Sequence, residues 1–584
     1  MNKISIIVVT AGLCLAVALP GFGMGTHPSE PPYGIDLVAR AQVDECFNGI
    51  GEPYEPGPDC SSQDGPKTNQ NYLWGLTKAG DKLWFGTAAN MLCLVRAFSS
   101  FSADGDGGIG LGDLLSSVSP YRNDLWACEY QQGMYPSTEM MTSIPDIFGD
   151  YRPPKIYTYN ITTRALKDKT GELTGIGDQL RLETTFGLRS AAAFAGLVFL
   201  SGPVALGNGI NVFVFDADSG AFLKSATLPQ YQNIRKWLVK DDVLYAAVAD
   251  ETGGGKVLRW TGSRDNPFSF IEVGVMDGGG AEIVAHNGRI FVGTWPSRGE
   301  DPANAGIWMS PVVPPGGLTE SDYNAWTKVW QSGEYEPDPL NAAIYGIGAM
   351  ASYGGYLYWG TMHVHGKAAV VFIDQYNMSL YQFAQTYFNT WRATALFRCA
   401  DFSPGEKHVE LLYGNRTLPV YVPVTSYYGY WTYRKNKMGG ISGKYGQAGF
   451  DNIYNNYTWT MAIYDDQLFV GTMDHSYLWL DWDHLQQYYW GNDYFSVPTF
   501  DIPWLWTPSQ DEYGADLWRF PSTGEAAVRV SRDGLGNFTN YGFRSSIVDE
   551  NTGLYLGTAN PASLYTDSYG NSKGGWELYR IFKR

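Results

Sequence analysis

Three arginines occupy one position of a recurring pattern in this sequence, and they are the residues best suited to chemistry with a charged partner. Aligned by their flanks, seven segments put Trp74, Arg189, Arg235, Ala281, Gly348, Trp459 and Arg544 at one equivalent site, Arg544 being reached across one extra turn residue. Guanidinium forks hold carboxylate or phosphate oxygens through paired, charge-assisted hydrogen bonds, and indoles supply flat apolar area. Arg189, Arg235, Arg544, Trp74 and Trp459 are therefore the expected ligand-binding set. The competing expectation pairs each arginine with an acid of a neighbouring segment, such as Asp277 or Glu282, so that the arginines hold the fold together.

Two further patterns suit metals. In MHVH, His363 and His365 are two apart, and residues two apart on an extended strand share a side. Asp474 and His475 fall at the matching place of another segment, so His with carboxylate could form a transition-metal site; surface His and Asp without metal is the plainer expectation. SADGDGGIGLGD places Asp104, Asp106 and Asp113 at the third, fifth and twelfth positions of an EF-hand-like calcium loop with Gly107 at its bend, the oxygen pattern that calcium takes. Ser102 stands at the first position and the last ligand is Asp rather than Glu. No Ser-His-Asp set and no pair of catalytic carboxylates can be assigned from spacing alone.

The elements that must position these residues form an internal repeat. YLWGLTKAGDKLWFGT (72–87), GLRSAAAFAGLVFLSG (187–202), IRKWLVKDDVLYAAV (234–248), GAEIVAHNGRIFVGT (280–294), GIGAMASYGGYLYWGT (346–361), TWTMAIYDDQLFVGT (458–472) and FRSSIVDENTGLYLGT (543–558) share one form. Each is an apolar or small-residue strand, a tight Gly, Asp or Asn turn, and an apolar-aromatic strand that ends in Gly-Thr or a near match, which is a β-hairpin. A second hairpin follows most copies, and Ser201, Ala247 and Gly293 are 46 residues apart. Two hairpins make one four-stranded blade. The expected fold is all-β, a seven-bladed β-propeller over 71–584 with long insertions on one face. The repeat resembles β-propeller repeats over most of residues 70–584, and is similar in kind to exported bacterial propellers with Gly-Thr strand ends. It lacks the Trp-Asp dipeptide of WD repeats, the double glycine of kelch repeats and the Asp box of sialidases. The resemblance therefore implies a fold and no activity.

Residues 1–25 read as a signal peptide, with Lys3 before an apolar run from Ile4 to Leu19 and small residues after it. Residues 26–70 form an N-terminal segment that could supply the outer strand missing after WELYRIFKR. Secreted or periplasmic placement follows, and with it the disulfides Cys46–Cys60 and Cys93–Cys128, Cys399 being left over. No later stretch is apolar and long enough to span a membrane. A net charge of −18 disfavours nucleic acid.

The extra sequence lies near 88–153, 362–392 and 473–514, in connections that leave a propeller on one face. SYLWLDWDHLQQYYWGNDYF is dense in Trp, Tyr and Asp. Such a surface suits sugar rings, a protein interface or a packed cap. The function expected is an exported protein that binds a glycan, an anionic ligand or a partner protein on this aromatic face. The alternative is an extracellular hydrolase or lyase acting on a polysaccharide or another anionic substrate there.

Overall fold

The structure, a computed structural model, describes residues 33–47, 55–56, 60, 65–91, 151–205, 207–296, 303–378, 380–425, 428–476, 513–567 and 569–584. The expected signal peptide, the calcium loop with Asp104, Asp106 and Asp113, the Cys93–Cys128 pair and most of the insertions near 88–153 and 473–514 lie outside these residues.

The described chain is mostly β, and its strands fall into successive antiparallel groups of four. In the first, Gln70–Ala79, Lys82–Ala89, Ile156–Asn160 and Leu166–Asp168 pair in that order. The second begins with Ser190–Phe194 and Leu197–Pro203, the third with Tyr231–Lys240 and Val243–Asp250, the fourth with Gly280–His286 and Arg289–Thr294. The fifth begins with Tyr345–Tyr353 and Tyr356–His363, the sixth with Asn455–Tyr464 and Gln467–Asp474. The seventh holds Gly542–Asp549, Gly553–Ala559 and Glu577–Lys583, and Tyr33–Arg40 pairs antiparallel with the last of these.

Each group starts with one of the hairpins read in the sequence. Their turns hold Asp241 and Asp242 at φ of 48° and 56°, and Asp465 and Asp466 at 51° and 55°, the left-handed values that tight hairpins need. The seventh turn is longer, since Asp549 pairs with Gly553.

The Gly-Thr endings have two jobs. The glycine lets the next group's first strand approach: a Cβ at Gly86 would lie 2.2 Å from Leu188 Cβ, and one at Gly557 2.6 Å from Leu73 Cδ2. The threonine hydroxyl accepts the N–H that opens the third strand. Lys155 N donates to Thr87 at 2.8 Å, Gly306 N to Thr294 at 2.9 Å, and Asp516 N to Thr472 at 3.0 Å. A strand returning from a long insertion is thereby pinned where it must resume.

Apolar side chains lie in layers between successive groups rather than in one centre. Trp84 and Ile156 meet Phe213 and Phe215 between the first and second, and Leu83 and Phe85 meet Tyr555 and Trp576 between the seventh and first. First strands touch their neighbours in cyclic order, the seventh meeting the first. The arrangement is β-propeller-like. The insertion of the fifth group contains helices His365–Tyr376 and Leu380–Thr390. Cys46 and Cys60 form a disulfide beside the short strands at Glu45–Phe47 and Gly65–Lys67, and Cys399 is a buried free thiol. Among the described residues, no helix is long and apolar enough to cross a membrane.

Candidate functional site

The arginine position coincides with a recurring irregularity in the ladder. Register shifts between Leu73 and Gly75, Ile234 and Lys236, Gly280 and Glu282, Thr458 and Thr460, and Phe543 and Ser545 leave Trp74, Arg235, Ala281, Trp459 and Arg544 as bulged residues. Gly348 falls within the corresponding shift of the fifth group, and Arg189 directly precedes its strand. A bulge turns a side chain away from the regular alternation, and here it turns them toward one another.

The structure brings all five expected residues together and adds Trp295. The Arg544 guanidinium lies 5.4 Å from the Trp459 ring and 6.0 Å from Trp74. Arg189 lies 5.1 Å from Trp74 and 5.0 Å from Trp295, and Arg235 lies 4.6 Å from Trp295. Indole and guanidinium thus alternate along an arc from the sixth group to the fourth, each contact being a cation–π pair worth roughly 0.5–2 kcal/mol. Glycines give the indoles room: a Cβ at Gly542 would strike Trp459, one at Gly187 Trp74, and one at Gly346 Trp295.

Neither acid expected as a partner forms an ion pair with an arginine of the set, although the charge of buried Glu282 offsets part of the lowering of all three pKa values. Glu282 pairs with Lys236 at 3.1 Å, and Asp277 pairs with Lys328. Among the described residues, no carboxylate forms an ion pair with Arg189, Arg235 or Arg544. Arg189 donates to Asn233 Oδ1 at 2.9 Å, and Arg235 reaches only the weakly accepting Met362 sulfur at 3.9 and 4.0 Å. Arg544 Nε and Nη2, Arg235 Nε and Arg189 Nε are buried without an acceptor. Burial, joined by repulsion from Arg235, lowers the Arg544 pKa to about 9. Burial and the other two arginines depress Arg189 well below its ordinary value, and burial lowers Arg235. The Tyr457 phenol, raised to about 12 by burial, lies near Arg235 and Arg189.

Beside this arc a cavity of about 420 Å³ opens between the second, third and fourth groups. It is lined by Phe186, Arg189, Asn208, Gln232, Asn233 and Trp295, among others. The connections after the second strands of the second and third groups are short, whereas the insertions near 88–153, 362–392 and 473–514 belong to the first, fifth and sixth groups.

The histidine pair does not share a strand face. The strand ends at His363, and His365 opens the helix that follows, so the two-apart rule for extended chain does not apply. His363 is fully buried, and its Nε2 lies 2.8 Å from the Asn341 side chain. Burial and nearby Arg392 hold its pKa well below the usual value. No group of three His, Cys, Asp or Glu able to hold a metal is found among the described residues. Asp474 has a different neighbour. Asn452 Nδ2 donates to Asp474 Oδ2 at 2.9 Å and to Asp516 Oδ2 at 3.4 Å, and Asn455 Nδ2 donates to Asp516 at 2.7 Å. Burial, then repulsion from Asp516, raises Asp474 to about 8, and burial raises Asp516 to about 6. Both shifts favour the protonated carboxyl.

Sequence reasoning missed Trp295, although a signal existed. The residue after each Gly-Thr, namely Ala88, Trp295, Met362, Met473 and Ala559, packs into this one cluster with Tyr72, Trp74, Trp459 and Tyr541. It missed Asp516 because the chain between Asp474 and Asp516 is long.

No protein family and no curated protein matches this chain. Among solved structures, a luciferin-regenerating enzyme aligns over 66% of this chain and 87% of its own, at 10% identity and a TM-score of 0.31. The exo-β-1,3-galactanase of Phanerochaete chrysosporium aligns over 59% of this chain and 63% of its own, at 11% identity and 0.28. A prolyl endopeptidase aligns over 84% and 45%, at 10% identity and 0.35. Likenesses this distant carry no argument about what the chain does.

Proposed function

We propose that this is an exported binding protein, a seven-bladed β-propeller that takes an anionic ligand at the arginine and tryptophan cluster where its first strands meet. The cyclic order of first strands, the apolar layer between the seventh and first groups, and the N-terminal strand on the last group's edge support the ring reading. The Cys46–Cys60 disulfide supports export. One observation carries the binding reading: three guanidinium groups, Arg235 and Arg544 buried and Arg189 partly exposed, lie among three indoles with no carboxylate in ion-pair contact, Glu282 acting on them only from a distance. Buried charges are ordinarily paired, so the missing partner is assigned to a ligand. Losing one charge-assisted hydrogen bond to it costs roughly 1.5–3 kcal/mol, about ten- to a hundredfold in affinity. The test is a glycan and metabolite array, with the ligand found there titrated into Arg235→Ala and Arg544→Ala. Unchanged affinity in both variants would overturn the assignment.

One feature favours the second reading, a hydrolase or lyase acting at the same face. Asp474, fully buried beside the aromatic cluster, has its pKa raised by burial and by Asp516, the direction a general acid needs. Polysaccharide cleavage by the wild type that Asp474→Asn abolishes would establish this reading; cleavage retained by that variant would remove it.

A further inference from the structure

The cavity beside Arg189 is more specific than a general anion site. Among the described residues its one charged lining residue is Arg189, which is partly exposed and held between the Trp74 and Trp295 rings. Ring contacts on two sides limit the movement of the guanidinium, and its N–H groups not bonded to Asn233 are those that would receive a carboxylate. Around it stand three amide side chains. Gln232 Nε2 donates to Asn208 Oδ1 at 3.1 Å, and Asn233 Oδ1 accepts from Arg189 at 2.9 Å. These bonds leave the Gln232 oxygen, the Asn208 NH₂ and the Asn233 NH₂ without protein partners among the described residues. Amide oxygens and NH₂ groups serve hydroxyls, which both donate and accept. Phe186 and Trp295 add flat apolar faces, and Gly207, Gly253, Gly279 and Gly280 keep the walls low. The volume, about 420 Å³, lies in the range of small-ligand sites, roughly 300–1,000 Å³.

We propose that this cavity is a subsite for an acidic sugar residue of a glycan, with Arg189 on the carboxylate, Gln232, Asn208 and Asn233 on ring hydroxyls, and Trp295 and Phe186 against the apolar side of the ring. The proposal rests on the anion-binding reading above and adds the ligand's class and its place. A peptide carboxylate would use the guanidinium, and its backbone could serve the amides, but a glutamate side chain brings no ring face to Trp295 and Phe186. Inorganic phosphate would accept from the guanidinium and the amide NH₂ groups but leave the rings uncovered.

Calorimetric titration of the intact protein tests this with four probes: an oligogalacturonate trimer, its neutral methyl ester, a short poly-glutamate peptide and inorganic phosphate. The trimer should bind, and the ester should bind at least tenfold more weakly. Arg189→Ala should weaken the trimer at least tenfold. A double variant, Asn208→Ala with Gln232→Ala, should weaken it about tenfold with an unchanged melting temperature, since both side chains are at the surface. Equal binding of trimer and ester, or trimer binding that the double variant leaves unchanged, overturns the subsite. Phosphate or peptide binding that Arg235→Ala weakens, with no trimer binding, overturns the sugar assignment and leaves the anion site standing. Binding of none of the four overturns both.

Discussion

Arg392 and Arg544 are equally deep in the protein, 2% and 6% exposed, and their surroundings are opposite. Arg392 grips Glu336 with two bonds, Nε to Oε2 at 2.7 Å and Nη2 to Oε1 at 3.1 Å, and also donates to the carbonyls of Asn389, Trp391 and Pro419. Glu336 keeps the Arg392 guanidinium above its ordinary pKa despite burial. Arg544 has indoles where Arg392 has a carboxylate and carbonyls, and its pKa falls to about 9. The first arrangement is complete within the chain: it ties the insertion of the fifth group to the segment before that group. The second is incomplete and repeated three times around one mouth. The difference separates an arginine completed within the chain from one that is left without a charged partner in contact.

The largest expected effect breaks the complete pair. Glu336→Gln leaves Arg392 buried with one neutral acceptor in place of a carboxylate, and breaking such a pair costs about 3–5 kcal/mol. Urea unfolding should show that loss, and a change below about 1 kcal/mol would mean the pair is not structural.

A smaller effect concerns acids rather than arginines. In the seventh group Asn560 occupies the place of Asp474, and Glu577 that of Asp516. Glu577 is served by Asn537, by Asn540 at 2.6 Å and by the Tyr579 hydroxyl at 2.7 Å. The sixth group buries two carboxyls where the seventh buries one. A folded pKa raised above the unfolded value means the native state holds the extra proton. Its contribution is complete below about pH 4 and is lost as pH rises through about 8. Asp474→Asn, which copies the seventh group, should flatten that decline and stabilise the protein at pH 8 by on the order of 1–2 kcal/mol. Parallel pH profiles for wild type and variant would count against the raised pKa.

The smallest effect tests the fit of the indoles. Gly346→Ala places a methyl 2.7 Å from Trp295 Cδ1 and should cost about 1 kcal/mol through overpacking. It should also weaken ligand binding by displacing the ring that holds Arg189 and Arg235. Unaltered stability and affinity would show that Trp295 moves freely.

The hairpins were legible because each carries its own turn residues and its own Gly-Thr ending, and both have local causes in the structure. The alignment of Trp74, Arg189, Arg235, Trp459 and Arg544 was legible because a bulge recurs at that position. Trp295 was overlooked because it sits on second strands' ends, a different register of the repeat. Contacts made across long connections left no local trace, as with Glu336–Arg392 and Asp474–Asp516. The histidines misled because MHVH reads as continuous strand, while the chain leaves the sheet after His363 and coils into a helix. Cys46 and Cys60 could be paired from their closeness in sequence, and the structure joins them.

The central claim is that the mouth arginines await a ligand and do not hold the fold together. Urea unfolding of an Arg235→Leu, Arg544→Leu double variant in dilute, anion-poor buffer tests it most directly. The account predicts stability within about 1 kcal/mol of wild type or above it, since burying apolar groups in place of unpaired charges is neutral or favourable. A loss of about 3 kcal/mol or more, comparable with that of Glu336→Gln, would contradict it.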